Sequence, residues 1–288
     1  MRTGWRKVAH RALELSGLIG PLHRAQERRL AQTDVEAFDD GRPLPPAELR
    51  VLVGGAADPK WFSHRGRADA ERFMDLARRH GSPFESGLSV WDLGCGCGRI
   101  ARWTAPVVLN GSGAFRGTDI NPRLVEWCAA HLPGSYRRNP LKPPSDLAPE
   151  SIEVIYAYSV LTHLREGVAR AWLAEMARVL KPGGLAMVTF HDEDYARAWG
   201  PPEAQAQIAL DGYFVLNDAL EGSNYMSSWT TRQGFRALLP AQLKVCEIRP
   251  GHRRPASPDS LTFSRPPRPP RPSPAPPRTG MTAARAAR

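Results

Sequence analysis

At 288 residues and 42% hydrophobic composition, the chain can hold one core of ordinary domain size plus extensions, and no apolar stretch is long enough to span a membrane. Its net charge of +10 sits at the ends: residues 1–31 carry +5, residues 251–288 carry +7, and residues 32–250 carry −2. That distribution argues against a nucleic acid substrate for the central part and leaves the basic ends as places for nonspecific contact. The N-terminus lacks the apolar core and cleavage site of a secretory signal. Its Arg-rich pattern faintly resembles an organelle transit peptide, against which Glu14 and Glu27 stand. Four cysteines without framework spacing fit free thiols in a reducing cytoplasm, the expected location.

Residues 1–31 read as a helix with a partial apolar stripe (Val8, Leu15, Leu18, Ile19, Leu22, Leu30). A Gly/Pro break follows at 39–46, then a short helix over Ala47–Val53 that Pro46 suits, then a helix over Arg67–Arg79. From there strands and helices alternate, which predicts a mostly parallel sheet. The strands are expected at Ser89–Leu93, Ala114–Asp119, Ser135–Arg138 (a weak one), Ser151–Tyr158 and Leu185–Phe190. The helices between them are expected from Gly98 to about Thr104, over Pro122–His131, and over Glu166–Leu180, where Trp172, Leu173, Met176 and Leu180 share a core-facing stripe. Lys181-Pro182-Gly183-Gly184 stops the last of these. Residues 193–224 break the alternation and read as an insertion over the carboxyl edge of the sheet. A last helix at Thr230–Leu239, a sixth strand at Leu243–Ile248 and a short, poor seventh at Ser260–Phe263 complete the domain. From Arg265 on, Pro and Arg dominate, and the tail is expected to be disordered. The division is thus 1–80 as an N-terminal helical extension, 81–264 as the α/β domain and 265–288 as tail.

The most informative stretch is Val90-Trp91-Asp92-Leu93-Gly94-Cys95-Gly96-Cys97-Gly98-Arg99. A buried strand ends in an acid and runs into a glycine turn, at the edge where open α/β sheets bind ligands. Asp119 lies about 20 residues after Gly98, the spacing at which a second-strand acid reaches a ribose hydroxyl. The pattern predicts an adenosine-containing cofactor. An NAD site wants G-x-G-x-x-G with a small last residue and a free helix N-terminus; here the spacing is G-x-G-x-G and Arg99 holds the small-residue place. S-adenosylmethionine has no phosphate, and its ammonium group suits Asp92. Cys95-Gly96-Cys97 is too closely spaced to argue for zinc, and no metal is expected.

At four places the chain resembles the class I S-adenosylmethionine-dependent methyltransferases: Asp92–Gly98, Gly117-Thr118-Asp119-Ile120-Asn121, Ile152–Leu164 with Tyr158-Ser159-Val160-Leu161-Thr162-His163-Leu164, and Arg178–Leu185. The order and spacing carry the resemblance, which covers roughly Val90 to Ile248. A weaker match, Glu221–Met226, is similar to small-molecule methyltransferases of bacterial biosynthetic clusters. The resemblance implies a Rossmann-like, doubly wound sheet of the seven-stranded methyltransferase type, with its last strand antiparallel. It also implies S-adenosyl-L-methionine as cofactor. Contacts are expected from Asp92, Gly94, Cys95, Gly96, Gly98, Asp119, Ile120, Asn139 (the polar residue by the adenine), Tyr158 and Ser159.

Each residue has a plainer reading beside the functional one. Asp119 could cap the helix at Pro122, and Tyr158 and Ser159 could simply pack. His163 is a catalytic candidate or a hydrogen-bonding residue at a helix start. A base among His191, Asp192 and Glu193 competes with a solvated loop. Trp199, Tyr213, Phe214, Tyr225 and Trp229 could wall an acceptor pocket or only pack the insertion. The leading expectation is methyl transfer to a small-molecule acceptor at oxygen. An NAD-dependent oxidoreductase and a non-catalytic binding protein on the same scaffold are the alternatives.

Overall fold

The computed structural model describes residues 40–55, 57–249 and 259–267. The helix expected over 1–31 lies outside them, as does the tail beyond Pro267.

The sheet has the strand order β3-β2-β1-β4-β5-β9-β8. Its strands are β1 (Ser89–Leu93), β2 (Ala114–Asp119), β3 (Ser135–Arg138), β4 (Ile152–Ala157), β5 (Leu180–Phe190), β8 (Lys244–Arg249) and β9 (Asp259–Ser264). β1 to β5 run parallel, and β9 is antiparallel to both β5 and β8. Side chains alternate across each strand, so a sheet covered on both faces feeds two cores. Trp91, Leu93, Ile155, Ala157, Ala186, Val188 and Phe190 enter one. Val90, Val154, Tyr156, Leu185 and Met187 enter the other. The first core is closed by α5 (Glu166–Val179), whose Trp172 lies 6.3 Å from Trp91. The buried Trp91 indole donates to Thr118 Oγ1 at 2.9 Å and leaves no orphan donor. The second core is closed by α2 (Pro59–Arg79), α3 (Ala101–Asn110) and α4 (Pro122–His131), with Phe73 and Leu76 of α2 buried in it.

Several boundaries differ from the sequence expectation, each for a local reason. Helix α2 starts at Pro59 rather than Arg67, because Asp58 accepts from the Lys60 amide at 2.9 Å and Pro59 stands where no amide is needed. Helix α3 continues past Thr104 and through Pro106. The proline leaves the Arg102 carbonyl without its helical donor, and Arg42 Nη1 reaches it at 3.4 Å. The helix expected at Thr230–Leu239 is α8, Arg232–Leu238: Thr230 ends a strand, and Thr231 Oγ1 caps the helix by accepting from the Gly234 amide at 2.8 Å. The seventh strand, expected to be short and poor, is six residues long and pairs along its length with Leu185–Phe190. Arg265, where the tail was expected to begin, is fastened to the first half of β5: its amide donates to the Gly184 carbonyl at 3.0 Å and its guanidinium to Leu180 O and to Glu150.

The insertion is ordered. It holds α6 (Glu193–Trp199), α7 (Pro202–Asp211) and β6 (Tyr213–Leu216), and β6 pairs antiparallel with β7 (Ser227–Thr230), just past the expected bound at 224, in a hairpin apart from the main sheet. On the amino-terminal side, residues 40–46 strap α1 (Ala47–Gly54) to the domain. The Arg102 side chain, 1% exposed, grips Asp40 with Nε at 2.7 Å and Nη2 at 2.5 Å. Burial pushes the Asp40 carboxyl up, but the hydrogen bonds from Arg102 and the Arg42 amide outweigh it and hold it below its ordinary value. Arg102→Ala strands a buried carboxylate and is expected to cost about 3–5 kcal/mol in denaturant unfolding. With a lowered folded value, the Asp40 contribution is in place above the ordinary carboxylate range and is lost as the pH falls through the lowered value.

Candidate active site

The strand order reverses between β1 and β4, and the crevice at their carboxyl ends is where an open α/β sheet takes a ligand. A cavity of about 840 Å³ opens there. Its floor is the turn after β1. Gly94 and Cys95 donate their amides to Thr118 O at 2.7 and 2.9 Å, so β1 and β2 fix the turn together. Gly94 has φ +75°, and a Cβ there would stand 2.2 Å from Val160. Only glycine fits both the backbone and the space.

The predicted residues fall on this cavity with one exception. Asp92, Gly94, Cys95, Gly96, Asp119 and Ile120 line it, as do Asn139, Tyr158 and Ser159. Gly98 does not: it packs under the turn, where a Cβ would meet Leu132 at 2.2 Å. It resembles Gly94 in the sequence but serves the close approach of α4. The thiols of Cys95 and Cys97 turn apart. Cys95 and Cys128 both donate to Gly96 O, while Cys97 donates to Leu49 O.

Two acids dominate the electrostatics. Asp92, 2% exposed, accepts from Tyr156 Oη at 2.9 Å, and Tyr156 in turn meets Thr104 Oγ1 at 2.7 Å. Burial pushes the Asp92 carboxyl up to about 8, against the Tyr156 bond that lowers it. Asp119 ties the turn to the next helix: Oδ2 accepts from the Gly96 amide and Oδ1 from the Asn121 amide, both at 2.9 Å. Burial raises its carboxyl and these amides lower it, with a net rise. Asn121, not Asp119, caps α4 by accepting from the Arg123 amide. Asn139 donates Nδ2 to Pro140 O, and its buried Oδ1 has no hydrogen-bond partner among the described residues.

At the other end of the cavity stand His163 and His191. His163 lies in the 3-10 turn Leu161–His163 after β4, and His191 follows β5. Each Nδ1 meets a backbone carbonyl, Met226 O for His163 and Ser228 O at 3.1 Å for His191. A carbonyl only accepts, so Nδ1 carries the proton and Nε2 the lone pair. Burial lowers the His163 value, and lowers His191 to about 3, so both imidazoles are neutral at physiological pH. His191 also stacks on Tyr195, 4.1 Å between ring centres. Ser159 Oγ lies 3.4 Å from His163 Nε2.

The neighbours of His191 are structural. Asp192 is buried, caps α6 through the Tyr195 amide at 2.8 Å and pairs with Arg232. Glu193 accepts from the Arg232 amide at 2.9 Å. A solvated loop was the plain expectation for this acid pair, and instead the two acids fasten α6 to α8. Of the five aromatics considered as pocket walls, Tyr225 lines the cavity. Phe214 and Trp229 pack inside the insertion, Tyr213 Oη donates to Leu164 O, and Trp199 is exposed.

Residues missed in the sequence close the cavity from above. Val53 and Trp61 come from α1 and α2, and Arg99 from the end of the turn. Asn224 donates Nδ2 to Val51 O at 3.0 Å and so bridges the segment after the second 3-10 turn to α1. No local signal marks a contact across 173 positions. Arg99 did carry a signal, its place directly after the glycines.

The comparisons with known proteins agree with this geometry. Residues 90–184 match the protein-family model for a methyltransferase domain. An S-adenosylmethionine-dependent methyltransferase from Mesorhizobium loti is similar in structure at TM-score 0.51 and 18% identity, over 66% of this chain and 96% of that one. S-adenosylmethionine-bound CalS10, an amino pentose methyltransferase from Micromonospora echinaspora, gives 0.50 and 15%, over 70% and 94%. Magnesium protoporphyrin IX methyltransferase from Synechocystis PCC 6803 gives 0.50 and 13%, over 90% and 99%. At these identities the structural likenesses establish the fold. The domain match, over the very stretch that carries the glycine turn and the two acids, decides between the two adenosine cofactors. Over residues 90–184 the chain is similar to a methyltransferase domain, which supports an enzyme with S-adenosyl-L-methionine as its cofactor.

Proposed function

We propose that the chain methylates a small-molecule acceptor at oxygen. The observation that carries this reading is the pair of neutral imidazoles at the far end of the cavity, each with Nδ1 pinned, and with the Nε2 of His191 open to take a proton. The roof formed by α1 and the Asn224 bridge supports a small acceptor over a macromolecular one. The charge of −2 over 32–250 gives no attraction for nucleic acid. In this reading residues 1–80 serve as cap, 81–264 as catalytic domain and 265–288 as tail, and the protein works in the cytoplasm.

The residues fit the cofactor. Asp92 would hold the ammonium group, Asp119 the ribose hydroxyls, and the orphaned Asn139 Oδ1 would accept from the adenine amino group. Ile120 would pack on the adenine, the Gly94–Gly96 backbone would approach the methionine moiety, and Tyr158 and Ser159 would flank it; Gly98 would support the turn from below. When bound, the cofactor supplies an electrophilic methyl group on a sulfonium. His191 would orient the acceptor hydroxyl and take its proton, with His163 beside it.

The test is calorimetric titration with S-adenosylmethionine, followed by transfer of labelled methyl to a panel of hydroxyl-bearing small molecules. Binding with transfer to oxygen supports the reading. Binding without transfer to any acceptor favours a non-catalytic scaffold, and binding of NAD instead overturns it.

Cofactor binding should also depend on pH. Asp92, at about 8, is protonated in the free protein at neutral pH, and a docked ammonium group favours its carboxylate. Affinity is therefore expected to rise with pH from about 6 to 8, with a proton released on binding. Titration in buffers of different ionisation enthalpy measures that release. Asp92→Asn should abolish it, and its absence in the wild type would remove Asp92 as the counter-ion.

A further inference from the structure

We propose that Tyr156 is a positioning residue of the cleft: with Thr104 it forms a hydroxyl chain that aims the Asp92 carboxyl at the cofactor's ammonium group and follows its change of charge. The inference rests on the reading of Asp92 as counter-ion to that group.

Tyr156 stands on β4 directly beside Asp92 on β1, and the parallel register brings both side chains to one face of the sheet. That face otherwise sends Val90, Val154, Leu185 and Met187 into the second core. The Tyr156 ring is fully buried and stacks on Phe73 of α2 at 5.0 Å and on Phe84 at 6.0 Å. Two stacking partners fix the ring plane, and with it the line of the hydroxyl, before any ligand arrives. Oη donates to Asp92 Oδ2 at 2.9 Å and meets Thr104 Oγ1 of α3 at 2.7 Å. Thr104 Oγ1 in turn lies 3.4 Å from the Ile100 carbonyl.

The chain can run in either direction. Against a charged Asp92, Tyr156 donates to the carboxylate and accepts from Thr104. Against a neutral Asp92, the carboxyl donates to Tyr156, Tyr156 to Thr104, and Thr104 to the Ile100 carbonyl. Every hydroxyl hydrogen has an acceptor in both states. An acid 2% exposed can therefore lose its proton to a positively charged ligand without stranding a buried donor. Tyr156 alone hydrogen-bonds this carboxyl among the described residues. Burial opposes the Asp92 charge most strongly and Asp119 adds to that, while Tyr156 and Arg99 favour it. Cys95 and Tyr136 of β3 also sense the acid; the Cys128 contact and burial keep the Cys95 thiol protonated, and burial keeps the Tyr136 phenol so. Burial likewise keeps the Tyr156 phenol protonated, so it remains a donor across the physiological range.

The test measures S-adenosylmethionine affinity by calorimetry on the full chain from about pH 6 to 9, for the wild type, Tyr156→Phe and Thr104→Val. The control ligand is 5′-methylthioadenosine, which lacks the ammonium group. Tyr156→Phe keeps both ring stacks and removes the bond that favours the carboxylate, so the rise of affinity with pH should move up by about one pH unit. The variant should then bind about tenfold more weakly than the wild type at neutral pH and only about twofold more weakly at about pH 9. Its methylthioadenosine affinity should be unchanged, which also shows that it is folded. Thr104→Val should move the profile in the same direction by less. A deficit equal at every pH, or one shared by methylthioadenosine, makes Tyr156 a packing residue and overturns the proposal, as does a wild-type profile in either variant. A wild type that binds S-adenosylmethionine without pH dependence removes Asp92 as the counter-ion, and this inference with it. A wild type that does not bind S-adenosylmethionine at all refutes the reading of the cleft itself.

Discussion

Asp119→Ala is expected to weaken S-adenosylmethionine binding about 100- to 1,000-fold in calorimetric titration. Two terms add. The carboxylate would accept from the ribose hydroxyls, and two such charge-assisted bonds at the low end of their range amount to roughly 3–4 kcal/mol. It also accepts from the Gly96 and Asn121 amides, so its removal frees the turn that faces the ligand. Asp119→Asn keeps the shape, but an amide presents a donor where the protein already has donors, and an intermediate loss is expected. The melting temperature separates the terms. Loss of binding at an unchanged melting temperature means that the contact was with the ligand. Binding within about tenfold of the wild type would mean that Asp119 only holds the turn, and the ribose assignment would fall.

The parts legible in the sequence were those whose signals are local. β2 and α4 begin and end where expected because Asp119, Asn121 and Pro122 mark the strand end, the cap and the first helical turn within four residues. β1 was legible because a strand buried on both faces is apolar at most positions, as Val90, Trp91 and Leu93 show around the single acid Asp92. The β6–β7 hairpin was not, since its strands are joined by a ten-residue connection with its own 3-10 turn rather than a tight two-residue turn. β9 looked poor by its own composition; its order comes from β5 on one side and β8 on the other, which a window along the chain cannot see. The site divides in the same way. Asp92 and Asp119 were found by spacing, and Trp61 and Asn224 were missed because closure across the cavity places them. Among His191, Asp192 and Glu193, Arg232 takes both acids into structure and leaves the imidazole as the candidate base.

That imidazole gives the second large expected effect. His191→Ala should lower kcat by about 100-fold with the acceptor that the panel returns, while cofactor affinity stays unchanged. The figure is the low end for a general base, and the reason is physical. Burial holds the His191 value at about 3, so the ring stays neutral and ready but takes a proton weakly. His191 is preferred to His163 as the base because Ser159 Oγ stands at His163 Nε2, whereas His191 Nε2 meets no described donor. The pH profile follows from the same burial. A histidine of ordinary value would impose a loss of kcat/KM as the pH falls through about 6.5. His191 remains neutral at every pH above about 3, so no limb near 6.5 is expected from it. An unchanged kcat with a raised acceptor KM would make His191 a wall of the pocket. Methyl transfer would then rest on positioning by the roof and the stacked Tyr195, and the acceptor would need a nucleophile active without a base.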